Sequence, residues 1–227
     1  TLEAIAQAIF KEWFVDFNFP GATGEMEDSE LGLIPAGWRV YKLEELIESI
    51  SITHKFDNSH IIFLNTSDIE EGRVLHHNYR SVDGLPGQAK KSIRKFDILF
   101  TEIRPANKRF ALIDFDAKEY VVSTKLMVLR VKAHVQPIVI YNYITSTEVL
   151  SRLQMLAESR SGTFPQITFD QVKELQIALP TDELLKKYTS LCWSFFQEIK
   201  NNEQQNVSLA QTRDTLLPKL IHGELEA

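Results

Sequence analysis

The sequence predicts an α+β fold, in which one mixed α/β globular domain carries helices at both of its ends. Apolar residues recur every seven positions in the C-terminal segment, residues 181–217, which is typical of a long helix that packs on another helix. A wide apolar stripe at helical spacing lies in residues 2–17. Between these segments, short runs of β-branched and aromatic residues alternate with turns, which indicates strands.

The N-terminal segment, residues 1–37, is predicted to be a helix followed by a linker. The helix stripe is too aromatic for a free terminus, so we expect it to pack on the long C-terminal helix. Its apolar residues are Leu2, Ile5, Ile9, Phe10, Trp13, Phe14 and Phe17. Glycine, proline and acidic residues dominate 19–37, which is typical of a linker.

The globular domain is predicted to cover residues 38–180. Its short apolar runs predict strands at 40–43, 61–65, 96–101, 110–115, 120–122 and 126–131. Helices are expected at 43–48, from Pro137 to about Glu158, and at 169–174. Residues 76–95 are polar and basic and contain Gly84, Pro86 and Gly87, so they are predicted to form a long loop.

The C-terminal segment, residues 181–227, is predicted to be one long helix. Thr181 is a suitable N-cap, and Pro218 and Gly223 are expected to end the helix. Its apolar seam is expected to face a partner helix through Leu185, Tyr188, Phe195, Ile199, Leu209 and Leu216, with Cys192 on the same seam. A core helix of a globular domain is the alternative, but a length of roughly 55 Å favours a spacer.

Composition sets the broad class. The chain has one cysteine and no apolar run of membrane-spanning length, so we expect no disulfide framework and no membrane partner, and the cytoplasm is the natural compartment.

The net charge of −6 conceals an uneven distribution of charge along the chain. Residues 73–130 hold 12 Lys and Arg against 6 Asp and Glu, whereas residues 1–72 hold 4 against 14. A localised basic face suits a polyanion, and a solvated sheet edge explains the same charges equally well.

No catalytic or cofactor-binding pattern is visible. The histidines and the single cysteine lack metal-ligand spacing, and no glycine-rich phosphate loop is present. Asp114, Asp116 and Lys118 loosely match a magnesium nuclease cluster, but a hairpin turn between two strands is favoured there. The residues predict a binder with neither metal nor cofactor; a nuclease acting alone and a structural helical dimer remain alternatives.

Several stretches together carry a family resemblance. They are LEAIAQAIFKEWFVDF (2–17), PAGW (35–38), KFDILFTEIRP (95–105), VVSTKLMVLR (121–130), SGTFPQITFDQVKELQIALP (161–180) and LLPKLIHGEL (216–225). In this order they resemble the specificity subunits of Type I restriction-modification systems. The series covers nearly the whole chain.

The resemblance implies a DNA-reading role without catalysis. Such subunits usually hold two target-recognition domains, each reading half of a split site, with long antiparallel helices between them as a coiled-coil-like spacer. Methyltransferase subunits bind them directly, and a motor-nuclease subunit joins indirectly. This chain has one such domain, at 38–180, between a spacer-helix tail with its linker (1–37) and a spacer helix (181–227). It resembles a second half or a half-length subunit, and two copies are expected to pair as a homodimer.

The residues themselves suggest which side chains contact double-stranded DNA. The candidates share a positive charge or an amide and lie in or near predicted loops: Arg80, Lys90, Lys91, Arg94, Lys95, Arg104, Asn107, Lys108 and Arg109. Arginine suits guanine edges, asparagine suits adenine, and lysine suits phosphates. Recognition loops vary within the family, so none of these residues transfers by motif, and a solvated surface explains each of them equally well. The turn around Gly162 is interpreted as structural, with an unusual glycine backbone.

Overall fold

The computed structural model describes residues 1–132, 135–180 and 182–222. Within them the α-helices are Leu2–Phe14 (α1), Leu43–Leu46 (α2), Pro137–Ile144 (α3), Thr147–Arg160 (α4), Phe169–Lys173 (α5) and Asp182–Ile221 (α6). The strands are Met26–Ser29 (β1), Gly32–Pro35 (β2), Arg39–Lys42 (β3), Ile47–Ile50 (β4), His60–Leu64 (β5), Ile69–Glu70 (β6), Arg73–Val74 (β7), Tyr79–Ser81 (β8), Ala89–Ser92 (β9), Ile98–Thr101 (β10), Phe110–Leu112 (β11), Tyr120–Ser123 (β12), Leu126–Val131 (β13) and Gln176–Leu179 (β14). This arrangement confirms the predicted α+β class.

Two four-stranded sheets form the centre of the domain. The first has the order β11-β10-β13-β4 and is antiparallel throughout. The second has the order β8-β5-β12-β9, with β12 parallel to β5 and antiparallel to β9. Shorter two-stranded ladders join β1 with β2, β3 with β14, and β6 with β7.

The first sheet is buried on both faces. Alternate residues of a strand point to opposite faces, so Ile98 and Phe100 face one side of β10 while Leu99 faces the other. The first side packs in the large core with α1, α3, α4 and α6. The second side packs against the inward residues of the second sheet, among them Ile62 and Val122. The sheet therefore lies between a helical layer and a second sheet.

An aromatic cluster holds α1 on α6. Tyr188 of α6 is fully buried, and its ring lies 4.7 Å from Phe14 and 6.1 Å from Phe10, centroid to centroid. Farther along, Gln7 of α1 and Ile199 of α6 line one cavity, so the two helices run antiparallel. The aromatic stripe of the N-terminal segment thus packs on the long helix, as predicted.

A buried polar network ties three helices together. The side-chain amide of Asn142 in α3 donates to the Tyr188 hydroxyl at 2.8 Å and to the Cys192 thiol at 3.5 Å. Gln7 of α1 donates to the Asn142 carbonyl at 3.2 Å. Burial raises the pKa of Cys192 to about 11, so this thiol stays protonated and unreactive at neutral pH.

Two segments predicted to be loops contain strands. The predicted linker, 19–37, holds the β1–β2 hairpin, which Gln176 anchors by donating to Glu30 at 2.7 Å. The predicted loop at 76–95 holds β8 and β9, which are edge strands of the second sheet. These strands are polar or short, so their sequences lack apolar alternation. In addition, the strands with which they pair lie elsewhere in the chain.

Two helix boundaries also differ from the prediction. The helix expected from Pro137 to about Glu158 is two helices, because Ser146 caps α4 by accepting from the Val149 N–H at 3.4 Å. Pro218 does not stop α6, which continues to Ile221. Residues 211–222 are exposed, so water can hydrate the carbonyl that proline leaves without a donor. The expected Thr181 cap and the Gly223 end lie outside the described residues.

Replacing Gly72 by alanine should destabilise the fold. Its φ is +89°, and a Cβ there would lie 2.7 Å from the Tyr141 hydroxyl oxygen, whereas Gly32 has a φ of +90° and open space around it. Gly32→Ala should cost about 1 kcal/mol from backbone strain alone, and Gly72→Ala about 2 kcal/mol or more because the Tyr141 ring must also move. Urea unfolding of both variants measures the difference.

A double variant provides the control for this prediction. Tyr141→Phe removes the clashing oxygen, so it should recover part of the loss in Gly72→Ala through a favourable coupling energy. Equal losses for the two glycine variants, or strictly additive effects, would contradict the steric explanation.

Candidate nucleic-acid interface

The turn between β10 and β11, residues 104–109, is here named the basic turn. Arg104 and Lys108 both adopt positive φ, 43° and 53°, on either side of the one-turn 3₁₀ helix Pro105–Asn107. Non-glycine residues in this conformation cost of order 1–3 kcal/mol and persist only when their surroundings hold them. Strain of this kind is frequent in functional loops.

Hydrogen bonds to distant segments hold the basic turn in place. The Arg104 N–H donates to the Pro165 carbonyl at 3.1 Å, and the Ala106 N–H donates to the Gln154 side chain of α4 at 3.1 Å. A β-bridge pairs Ile103 with Gln166 directly beside them. The backbone of the turn is therefore fixed before any ligand binds.

The four predicted contact residues of the basic turn differ in whether their side chains are bound by other residues of the protein. Lys108 forms an ion pair with Glu71 at 3.0 Å, and the Arg109 guanidinium contacts the Ile69 carbonyl at 3.1 Å and Glu70 at 3.2 Å. These two cations thus hold the β6–β7 hairpin against the turn. Arg104 and Asn107 are exposed, and neither side chain makes a hydrogen bond or ion pair within the described part of the chain.

Lys90 and Lys91, adjacent in sequence, lie in different environments. The Lys91 ammonium donates to the carbonyls of Thr124 at 3.0 Å and Leu126 at 2.8 Å and lies 3.8 Å from Glu102. Burial lowers the pKa of Lys91, and Glu102 opposes that shift. Lys90 is exposed, and its ammonium has no partner among the residues that the structure describes. Of the pair, Lys90 is thus the one positioned to meet solvent or a ligand.

Arg94 and Lys95 lie at the opposite end of β10 from the basic turn, roughly 13 Å away for a strand of this length. The Lys95 ammonium lies 5.2 Å above the Phe96 ring, which packs on Trp193 of α6 with centroids 5.5 Å apart. The Arg94 side chain is 3.9 Å from the buried Asp97 carboxylate. Lys95 therefore lies near the long helix.

Arg80 and Lys90 lie on opposite edges of the second sheet, because β8 and β9 are its outer strands. Three strand spacings of about 4.8 Å separate those edges by roughly 14 Å. The Arg80 guanidinium lies 5.8 Å from the centre of the Phe63 ring on the outer face. The nine predicted contact residues thus fall into separate groups, and the basic turn is the most compact of them.

An exposed aromatic residue beside the basic turn escaped the sequence analysis. Phe164 is 71% exposed and directly precedes Pro165, whose carbonyl accepts from Arg104. A phenylalanine in a turn of otherwise small and polar residues was the available signal. The neighbouring Gly162 has φ outside the left-handed region, so the expected unusual glycine backbone is wrong.

The segment with Asp114, Asp116 and Lys118 is not a hairpin turn, because β11 and β12 belong to different sheets. It is a connection between sheets, in which Lys118 lies 3.5 Å from Asp116 and both side chains are exposed. Within residues 1–132, 135–180 and 182–222, no three His, Cys, Asp or Glu side chains are grouped to hold a metal ion.

The long helix α6 has a covered half and an exposed half. Leu185, Tyr188 and Cys192 are buried against α1 and α3. Phe195 and Ile199 are partly exposed and line a cavity of about 600 Å³ between α1, α3, α6 and the β6–β7 hairpin. Beyond Asn201 the apolar side chains are exposed, namely Val207, Leu209, Leu216, Leu217, Leu220 and Ile221.

Comparison with known proteins identifies the family. The model of the Type I restriction modification DNA specificity domain matches residues 35–209, well over half of the chain. The chain belongs to this family. It is 40% identical over 181 residues to the specificity subunit of the Type I restriction enzyme HindI of Haemophilus influenzae, an alignment covering 79% of this chain and 39% of that protein.

More distant members of the specificity family align over most of this chain. The specificity subunit of the enzyme MjaIX of Methanocaldococcus jannaschii is 26% identical, over 99% of this chain and 53% of its own length. The HsdS subunit of Thermoanaerobacter tengcongensis has a TM-score of 0.57 at 20% identity, over 81% of this chain and 48% of that one. The S subunit of M. genitalium has a TM-score of 0.60 at 11% identity, over 96% and 55%.

These matches establish the fold and show how long this chain is relative to the proteins that it matches. The two solved structures share the fold, and the long α6 of this family member fits the predicted spacer helix. The chain spans about half the length, or less, of the curated relatives that it matches. Within the described residues, no helix is both long enough and apolar enough to span a membrane.

The two adjacent lysines generate a prediction on folding. Lys91→Met leaves the Thr124 and Leu126 carbonyls and the half-buried Glu102 without their donor, so it should destabilise the fold by about 1–3 kcal/mol. Lys90→Met is the matched control and should change stability by less than about 0.5 kcal/mol. Thermal and urea unfolding distinguish the two, and similar losses for both would contradict the structural role of Lys91.

Proposed function

We propose that the chain is the DNA-recognition part of a Type I restriction-modification complex, and that its domain, residues 38–180, reads one half of a two-part site. The observation that carries this proposal is the basic turn, where Arg104 and Asn107 are exposed on a backbone that hydrogen bonds to distant segments hold in place. Family membership supports the DNA-binding role.

The chemistry of these side chains suits base reading. An arginine can donate two parallel hydrogen bonds to the O6 and N7 of guanine, and an asparagine can pair with the N6 and N7 of adenine. Because the turn is already ordered, binding loses little conformational entropy there. The exposed cations Lys90 and Arg80 suit phosphates, which position the protein without specifying sequence.

The proposed complex assigns catalysis to other subunits. We infer that the chain alone neither methylates nor cuts DNA, that methyltransferase subunits dock on it directly, and that a motor-nuclease subunit joins through them, in the cytoplasm. A nuclease acting alone is less well supported, because Asp116 is paired with Lys118 on an exposed connection. A purely structural dimer would leave the rigid, exposed Arg104 and Asn107 without a role.

The exposed half of α6 supports pairing through the long helices. Leu209 is 65% exposed and Leu216 is 40% exposed, although both lie on the predicted apolar seam. Because α1 covers only the first part of α6, a second long helix is needed for the rest. We propose that a second copy supplies it in antiparallel register, so that residues 1–37 and 181–227 act as the spacer between two domains.

The first prediction of this proposal separates base contacts from phosphate contacts. Arg104→Ala and Asn107→Ala should each weaken binding to the selected duplex by about 1–3 kcal/mol and relax the preference at one base pair. Lys90→Ala should weaken all duplexes alike and reduce the log–log salt slope by about 1. Selection from a random duplex pool followed by fluorescence anisotropy at several salt concentrations measures both effects.

A further variant, Lys118→Ala, is the control for this prediction. Lys118→Ala removes a cation that Asp116 already partly neutralises on the sheet connection, so it should leave affinity and preference unchanged. If the Arg104 and Asn107 variants select the same sites with the same affinity as the parent, then the basic turn does not read bases.

The second prediction concerns assembly. At micromolar concentration, light scattering should give twice the chain mass, and Leu209→Lys with Leu216→Lys should give a monomer because two charges enter the apolar contact. Leu33→Lys is the control, since Leu33 is 60% exposed on the β1–β2 hairpin, which adjoins the first turns of α6 and not its exposed half. A parent chain that is monomeric would remove the homodimer and favour a longer polypeptide as the source of the second helix.

A further inference from the structure

We propose that Phe164 is a wedge that enters the base stack of DNA beside the bases read by the basic turn. This inference rests on the proposed DNA-recognition function and adds a second mode of reading to it. A partly inserted apolar side chain unstacks one base step and kinks the duplex, which makes binding depend on how easily that step deforms.

Phe164 differs from the other exposed aromatic residues of the described chain. It is 71% exposed, and its ring has no aromatic or cationic partner among them. Phe96 packs on Trp193 and under Lys95, Phe56 packs on His54, and the Tyr79 hydroxyl is hydrogen-bonded to Glu119. Phe164 is the most exposed of this group and the one whose side chain has none of these partners.

The backbone that carries Phe164 is held at both sides. Its N–H donates to the Ser161 hydroxyl at 3.1 Å, and the Ser161 N–H donates to the last turn of α4, at the Ala157 carbonyl, at 3.2 Å. The next residue, Pro165, is buried and accepts from the Arg104 N–H. A wedge has to resist the stacking energy of the bases that it separates, and a ring on a fixed backbone can do so.

The charges around Phe164 favour a polyanion over an apolar protein surface. The Arg104 N–H donates to the carbonyl of Pro165, the residue after Phe164, and Arg160 is exposed with one guanidinium nitrogen bound to the neutral Gln171 at 3.0 Å. Neither guanidinium forms an ion pair with a carboxylate within the described residues, so both are available to neutralise phosphates.

A second exposed apolar side chain is next in sequence to another residue that holds the basic turn. Met155 of α4 is 63% exposed and follows Gln154, which fixes the basic turn through the Ala106 N–H. Phe164 and Met155 are therefore each next in sequence to a residue that holds the turn presenting Arg104 and Asn107. The wedge would act at a base step next to the read bases, and flexible pyrimidine–purine steps should be preferred there.

The experiment measures base unstacking and affinity separately on the full chain. Duplexes that the parent selects from a random pool carry 2-aminopurine at successive positions, and its fluorescence rises when the base is unstacked. With the parent, fluorescence should rise at one step. Phe164→Ala should abolish that rise and weaken binding about tenfold or more, whereas Phe164→Leu, which keeps an apolar wedge, should retain most of both.

Leu33→Ala, a truncation of another exposed apolar residue, on the β1–β2 hairpin, should change neither signal. Unfolding curves check that all variants are folded. If the parent binds and no position brightens, or if Phe164→Ala keeps both signals, then the wedge is overturned while DNA recognition stands. Loss of methyltransferase-subunit binding in Phe164→Ala, with DNA binding intact, also overturns it and makes the turn a protein contact. A parent that binds no duplex overturns the proposed function and the wedge together.

Discussion

The packing of Tyr188 between α1 and α3 is the contact on which the rest of the molecule depends. Its ring meets Phe10 and Phe14, and its hydroxyl accepts from Asn142, so one side chain joins two helices to the long helix. Removing such a ring from a fully buried site costs about 3–5 kcal/mol. The contact fixes where α6 leaves the domain and which half of α6 stays exposed.

Rigidity at the basic turn has a physical source outside the turn. Arg104 and Lys108 hold left-handed conformations because Pro165, Gln154 and the β6–β7 hairpin hold their neighbours. The cations of the middle segment divide into two kinds. Lys91, Lys108 and Arg109 satisfy carbonyls and carboxylates of the protein, while Arg104, with Asn107, remains open to a ligand.

Much of the fold was predictable because its signals are local. Buried strands such as β5, β10 and β13 are continuous apolar runs, and the aromatic stripe of α1 repeats at helical spacing. The strands β8 and β9 were missed because edge strands are stabilised by ladder partners far away in the chain, which leave no local pattern. The boundary between α3 and α4 was missed because apolar residues at helical spacing continue across Thr145, which ends α3, and Ser146, which caps α4.

The sequence by itself determined the fold class, the family and the segment that holds the excess positive charge, because composition, periodicity and motif order are properties of the chain alone. Only the tertiary structure decided which cations are available. Lys90 and Lys91 are neighbours with the same side chain, and the pleat of β9 sends one ammonium to solvent and the other to buried carbonyls. Phe164 acquired its place beside Arg104 in the same way, through a hydrogen bond between residues about sixty positions apart, and no local pattern encodes such a contact.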